Sequence, residues 1–375
     1  MKRVLKIILI FLIVVLVFGA GFILALQLTE FRPEETTSLE ILNNVDDSNE
    51  NYFELDSTIK ILTFNIGYAS LSETEDFVMD GGEKGRMDTQ QEVQDNLDGI
   101  ASILQRESPD IYLLQEVDED SSRSYNINQY EYFQNILGTA SVLAYNYRCI
   151  FVPFPLSLSQ MMGKVNSGIA TFSDYYSDEA SRIQLPGSFS WPLRLANLKR
   201  CILISRYQIE GTTNELVVIN VHLSAYDDGS MRQEETSALQ EIMLNEYEAG
   251  NYVVVGGDFN QTFPDAVDIT YDSATETYSY DYLYSLRNES IWVAPPIDGD
   301  WFIENDFQFG IDTTYPTCRL LDHPYDKVDD SNNQYYLIDG FIVSANITID
   351  HVETLRENFV HSDHNPVVME FILNS

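Results

Sequence analysis

One ten-residue stretch, YVVVGGDFNQ at positions 252–261, constrains this chain more than any other. Three consecutive valines read as a buried strand. The two glycines that follow allow a sharp turn or the close approach of another backbone. Asp258 and Asn260 come next, one residue apart. In extended chain, side chains two apart share a face. The strand therefore delivers a carboxylate and a carboxamide side by side at its carboxyl end. Such a pair suits a hard cation or a phosphoryl group, since both take oxygen ligands and directed hydrogen bonds. Taken alone, the same letters also fit an ordinary Asp/Gly/Asn turn, so the remainder of the chain decides between the two.

The amino terminus is the next clear segment. Lys2, Arg3 and Lys6 precede an uninterrupted apolar, Gly and Ala run at 7–26. That length suffices to cross a bilayer as a helix. Basic residues before the run and acidic ones after it leave the bulk of the chain outside the cytoplasm by the positive-inside rule. A cleaved signal peptide, giving a secreted protein, is the competing reading. The run is long for one and 19–21 makes a poor cleavage site, so an uncleaved single-pass anchor at 1–28 is expected. Residues 29–57 carry nine acidic residues against one arginine, the composition of a solvated, flexible tether. The folded domain is therefore expected at 58–375.

That domain begins with IKILTFNIG at 59–67, a strand ending at Asn65. Asp88 and Gln91 have capping-box spacing ahead of a helical stripe of Val93, Leu97, Ile100 and Leu104. IYLLQEV at 111–117 reads as a strand with Glu116 near its end. Residues 125–154 are aromatic and without firm periodicity. NSGIATFS, from Asn166, and CILISRYQI, from Cys201, read as strands. LVVINVHLSAY places His222 at another strand end. Ser230 and Gln233 repeat the capping-box spacing before a stripe that stops at Gly250. Residues 262–334 resist assignment and read as surface excursions. YYLIDGFIVS then contributes Asp339, and HSDHNPVVMEF sets Asp363 and His364 just before the last strand.

Each of these polar residues alone has an ordinary structural explanation. In order, however, FNIG, LLQEV, NVHLSA, GGDFN, IDGFIV and SDHNPV resemble the successive motifs of the endonuclease/exonuclease/phosphatase superfamily, which includes DNase I, abasic-site endonucleases, neutral sphingomyelinases and inositol-polyphosphate phosphatases. The resemblance runs from Ile59 to the carboxyl terminus. It implies an α/β (α+β) fold, the DNase I-like four-layer αββα sandwich of two mostly antiparallel sheets flanked by helices. It also implies a metal site of Glu116 with Asn65 and Asp363, and a set of oxygen ligands without thiolate favours Mg²⁺, with Mn²⁺ as substitute. By the same resemblance Asp258 orients or deprotonates the attacking water and Asn260 holds a phosphate oxygen. Asp339 pairs with a cationic His364, and His222 is the second histidine of some branches. Arg200 matches a phosphate-binding arginine, and Asn166 a variable position near the substrate phosphate.

Charge narrows the substrate. With 59 acidic against 21 basic residues the formal net charge is -38, so the chain has no basic surface for gripping nucleic acid. Three cysteines permit at most one disulfide, and the lack of a CxxC pair argues against a disulfide framework and a structural zinc site. No exposed hydrophobic hairpin of the secreted-sphingomyelinase kind is evident. The expected protein is a monomeric, membrane-anchored, extracytoplasmic Mg²⁺-dependent phosphoesterase, acting on a lipid, small-molecule or nucleic-acid phosphodiester. An extracellular endonuclease and a catalytically silent binding or regulatory module are the alternatives.

Overall fold

The 252–261 stretch forms a central strand whose neighbours on both sides carry site residues. The computed structural model describes residues 2–44, 51–227, 229–264, 269–272, 277–280, 292, 294–329 and 332–375. In chain order its strands are β1 (Thr36–Leu39), β2 (Thr58–Asn65), β3 (Ile111–Asp118), β4 (Ala140–Val152), β5 (Gly163–Ser173), β6 (Ser177–Gln184), β7 (Cys201–Gln208), β8 (Glu215–His222) and β9 (Tyr252–Asp258). They continue as β10 (Ile269–Asp272), β11 (Thr277–Tyr280), β12 (Phe307–Gly310), β13 (Cys318–Arg319), β14 (Tyr335–Tyr336), β15 (Asp339–Ser344), β16 (Ile347–Thr354) and β17 (Val367–Leu373). The helices are α1 (Lys2–Leu28), α2 (Gln90–Glu107), α3 (Gln129–Leu137), α4 (Ser230–Glu248) and α5 (Gly299–Glu304).

Two large sheets form, a seven-stranded one ordered β1-β6-β7-β8-β9-β15-β12 and a six-stranded one ordered β16-β17-β2-β3-β5-β4. Within them only β2/β3 and β8/β9 pair in parallel, and each of these pairs is joined by a helical crossover, α2 or α4, as parallel pairing requires. The two-residue strand period sorts the core. Ile59, Ile61, Leu113, Val218, Val254 and Phe341 meet between the sheets. Leu62, Phe64 and Leu114 point the other way, onto Leu97 and Leu104 of α2 and Phe133 of α3. Val253 and Val255 likewise pack on Leu239 and Met243 of α4. The result is the expected four layers, helix, sheet, sheet, helix.

Several local expectations shift. The α2 box is made by Thr89 and Glu92, one residue later than Asp88 and Gln91. Neither Ser230 nor Gln233 caps α4; Asp227 accepts from the Met231 and Arg232 amides instead. Aromatic residues 125–154 hold α3 and all of β4. In the 29–57 segment, β1 pairs antiparallel with β6 at the edge of the larger sheet, and Phe53 is 1% exposed and stacked on Tyr175. These are packed contacts, not those of a solvated tether: scattered apolar residues suffice where an edge strand has only one neighbour. Residues 262–334 supply the opposite edge strand, β12. The β4–β5 connection corrects another expectation, because Leu156 and Leu158 there are 89% and 98% exposed beside the half-exposed Phe151 and Phe154. The three cysteines are buried and unbridged.

The glycines after the three valines serve close approach. A Cβ at Gly256 would press on Leu113 and Phe341 between the sheets, and one at Gly257 would collide with the carbonyl oxygen of Val221 on β8. Gly257 also has φ +151°. Since the obstruction is backbone, Gly257→Ala is expected to destabilise the fold by about 2–4 kcal/mol, read as a lowered urea midpoint at unchanged slope. A wild-type midpoint would contradict the β8–β9 packing described.

Candidate active site

Strand register puts the first row of the site together. His222 ends β8 opposite Asp258 at the end of β9, and Asp258 is in turn opposite Asp339 at the start of β15. Three adjacent strands thus present His222, Asp258 and Asp339 along one edge. The other sheet presents Asn65 at the end of β2 and Glu116 near the end of β3. All of these line one cleft of about 710 Å³, together with Asn260, Asp363, His364 and Arg200, except Asp339, which stands behind His364.

Glu116 reaches the cleft through an irregularity. The β3/β5 register shifts between Leu114 and Val117, and Glu116 takes φ +58°. A bulge of this kind re-aims a side chain that would otherwise follow the pleat. Its carboxylate remains partly solvated, with Oε1 3.8 Å from His222 Nε2. Asn260 also adopts a left-handed backbone, φ +50°. Its amide donates to Asp258 Oδ1 at 2.9 Å and its side chain donates to the Leu223 carbonyl at 2.8 Å.

Hydrogen bonds and charge fix the protonation states. Asn65 Nδ2 donates to Asp258 Oδ2 at 2.9 Å, while Asn65 Oδ1 accepts from the Gly67 amide. Burial, with Asp339 adding to it, pushes the Asp258 carboxyl up to about 7. His364 Nδ1 lies 2.8 Å from Asp339 Oδ2. Burial alone would lower the His364 pKa, but the Asp339 carboxylate, with Cys318 and Asp363 adding to it, holds the imidazole well above its ordinary value. His222 is the opposite case: burial, then the Arg200 guanidinium, depress it far below the usual range, so it is neutral at pH 7. Its Nε2 stands 3.5 Å from Asp258 Oδ2. Burial raises Asp363 to about 7, with Glu116 adding to the effect against His364.

The donors suit a divalent cation. Glu116 lies close enough to Asp363 to disfavour the charge on that carboxylate, and Asn65 adds a carboxamide oxygen. A hard cation held by oxygen relieves that repulsion. Among the described residues two clusters bring three metal-capable side chains together, Asp258/Asp339/His364 and Cys318/Asp363/His364. Burial raises the Cys318 thiol far above its normal range, so it offers no thiolate.

Two expected residues behave differently. Arg200 lines the cleft, with Nη1 on the His222 carbonyl at 3.2 Å. Asn166 does not line it; its carbonyl accepts from the Glu119 amide and Ser121 Oγ, while Ser167, one position on, faces the cleft. Sequence reasoning missed Asp118, Arg123 and Tyr68. Asp118 receives Arg123 in a bidentate pair, 2.9 and 3.1 Å, and the Arg123 guanidinium lies 3.6 Å over the Tyr68 ring in the cleft wall. The available signal was the Glu116-x-Asp118 spacing, the same as in Asp258-x-Asn260.

Solved structures share this fold. No curated protein matches the chain in sequence. Among solved structures it resembles an endonuclease/exonuclease/phosphatase from Beutenbergia cavernae DSM 12333, with 18% identity, TM-score 0.54, and coverage of 85% of this chain and 72% of that one. At 18% identity this likeness concerns the fold. Similar too are the endonuclease/exonuclease/phosphatase from Bacteroides vulgatus, at 15% identity, TM-score 0.49 and 85% and 100% coverage, and the human Nocturnin catalytic domain with bound sulfate, at 16% identity, TM-score 0.47 and 86% and 96% coverage. The family profile described as Endonuclease/Exonuclease/phosphatase family matches residues 62–364, a span that holds every strand-end residue of the cleft from Asn65 to His364, and the chain accordingly belongs to that family.

Proposed function

We propose that the protein is a membrane-anchored, extracytoplasmic, divalent-metal-dependent phosphodiesterase that hydrolyses its substrate by in-line attack of water. The observation that carries this reading is the buried Asp339–His364 pair, 2.8 Å apart, facing a second buried carboxylate, Asp258, in the same cleft. Such pairs of titratable groups with opposed environments divide acid and base roles between them. The family hydrolyses phosphoester bonds, and the anchor is supported by α1, which is long and apolar enough to cross a membrane and has basic residues before it.

Glu116, Asp363 and Asn65 would hold Mg²⁺ or Mn²⁺. When bound, the cation supplies polarisation of a phosphoryl oxygen and neutralisation of charge. Asp258, in its ionised form, accepts the proton of the attacking water. Asn65 and Asn260 hold that carboxylate in place, and the Asn260 side chain borders the phosphate position. His364, kept cationic by Asp339, stabilises the developing charge and can donate a proton toward the leaving oxygen. Neutral His222 and the Arg200 guanidinium complete the phosphate-facing wall. The net charge of -38 argues against a nuclease that depends on a basic face, and a site with every group in place argues against a silent binding module.

Hydrolysis of bis-p-nitrophenyl phosphate by the full chain, in Mg²⁺ or Mn²⁺ and again with EDTA, tests the class. Activity abolished by EDTA and restored by either ion is expected; turnover indifferent to EDTA would sink the metal role. Glu116→Gln keeps shape and removes charge. It is expected to lose metal binding by calorimetry and at least about a hundredfold in rate, while the unfolding midpoint of the metal-free protein hardly moves. Retained metal affinity would move the ligand role elsewhere.

Because Asp339 acts through His364, the single changes His364→Ala and Asp339→Ala should each cost roughly 10²–10⁴ in rate. The double change should be little worse than His364→Ala alone. Additive losses in activation free energy, or losses that follow the unfolding midpoint, would remove the pair from the mechanism.

A further inference from the structure

The cleft does not stop at the polar cluster. From Glu116, Asp258 and His364 its wall runs on to Leu156 and Leu193 and then to Phe22 and Leu26 of α1. The helix is docked there rather than merely attached. Leu26 is 6% exposed, although most of the preceding helix is bare. Phe22 meets Phe151 edge to face with ring centroids 6.0 Å apart. Gln27 Oε1 accepts from Trp191 Nε1 at 3.1 Å.

The depth of this contact can be placed. Residues 7–26, at about 1.5 Å rise each, match the roughly 30 Å hydrocarbon thickness of a bilayer. The outer boundary then lies near Leu26, and Phe22, four residues earlier, is about 6 Å inside it. Phe151, packed on Phe22, therefore sits at the acyl–headgroup boundary. Leu158 and Trp191, 98% and 56% exposed, belong to the same rim. A contiguous apolar patch costs free energy in water, and immersion of this depth is how interfacial elements satisfy theirs.

We infer that this rim seats the cleft on the outer leaflet, and that the substrate is a membrane phospholipid whose phosphodiester reaches Asp258 and His364 while its acyl part stays against the apolar wall. The inference rests on the phosphodiesterase reading above and names its substrate class. In the reaction a water oxygen bonds to phosphorus and one ester P–O bond breaks. The leaving alkoxide takes a proton, and the products are an alcohol and a phosphomonoester with no redox change.

The test uses the full chain reconstituted in phosphatidylcholine/phosphatidylethanolamine vesicles with Mg²⁺ or Mn²⁺, products being read by mass spectrometry. Parallel arms contain bis-p-nitrophenyl phosphate and plasmid DNA. The variant Phe151→Ser with Leu158→Ser changes exposed rim residues that do not line the cleft. Hydrolysis of vesicle phospholipid is expected, reduced about tenfold or more in the variant, while bis-p-nitrophenyl phosphate turnover and the unfolding midpoint stay near wild type. Turnover of the soluble diester or of DNA with lipid intact would overturn the inference and leave the phosphodiesterase reading standing. So would a rim variant that leaves lipid turnover unchanged, lowers both activities alike, or alters only self-association. No hydrolysis of any substrate would defeat the phosphodiesterase reading itself, and the lipid inference with it.

Discussion

Two buried carboxylates, Asp258 and Asp339, stand opposite each other in neighbouring strands, and the rest of the site is arranged around making that tolerable. Isolated charges of this kind are expensive to bury. The molecule offsets the cost asymmetrically. Asp339 is matched by the His364 imidazolium, whereas Asp258 receives only neutral donors, the Asn65 carboxamide and the Asn260 amide. One carboxylate is thereby hydrogen-bonded to the cation, and the other, 3.9 Å from the same ring, is raised to about 7 by burial and by Asp339. The geometry needs both sheets, since Asn65 comes from one and the two aspartates from the other.

This dependence explains why so much of the chain serves alignment. The close β8–β9 approach at Gly257 keeps His222 level with Asp258, and the β9–β15 register keeps Asp339 level with it on the other side. Loss of register by one residue in any of the three strands would turn a site residue to the opposite face. The core between the sheets, from Ile61 and Leu113 to Val254 and Phe341, is thus also the support of the cleft.

The central strands and their terminal residues were legible in the sequence because buried strands declare themselves by apolar runs and their ends by a sudden polar residue. What failed did so for identifiable reasons. Adjacent Asp88 and Thr89 are both good caps, and only backbone geometry chooses between them. Asp227 caps α4 from outside the spacing a capping box uses. The edge strands β1 and β12 are four residues long, too short for a period to show. Asn166 was read from a match to a variable position, and only its neighbour Ser167 lines the cleft, because successive strand residues point to opposite faces. The exposed leucines after β4 look like core leucines, since hydrophobicity does not reveal which apolar residues stay outside.

The left-handed backbone at Glu116 has a consequence for the thermodynamics of the whole domain. A side chain with a Cβ in that conformation costs on the order of 1–2 kcal/mol relative to glycine, and Tyr68 and Asn260, at φ +39° and +50°, carry similar burdens in the walls of the same cleft. The domain would fold more tightly if these positions were relaxed, and it would then lose the groups that face the cleft. Part of the strain in the fold thus lies where the chain presents its chemistry, and the four packed layers hold it there.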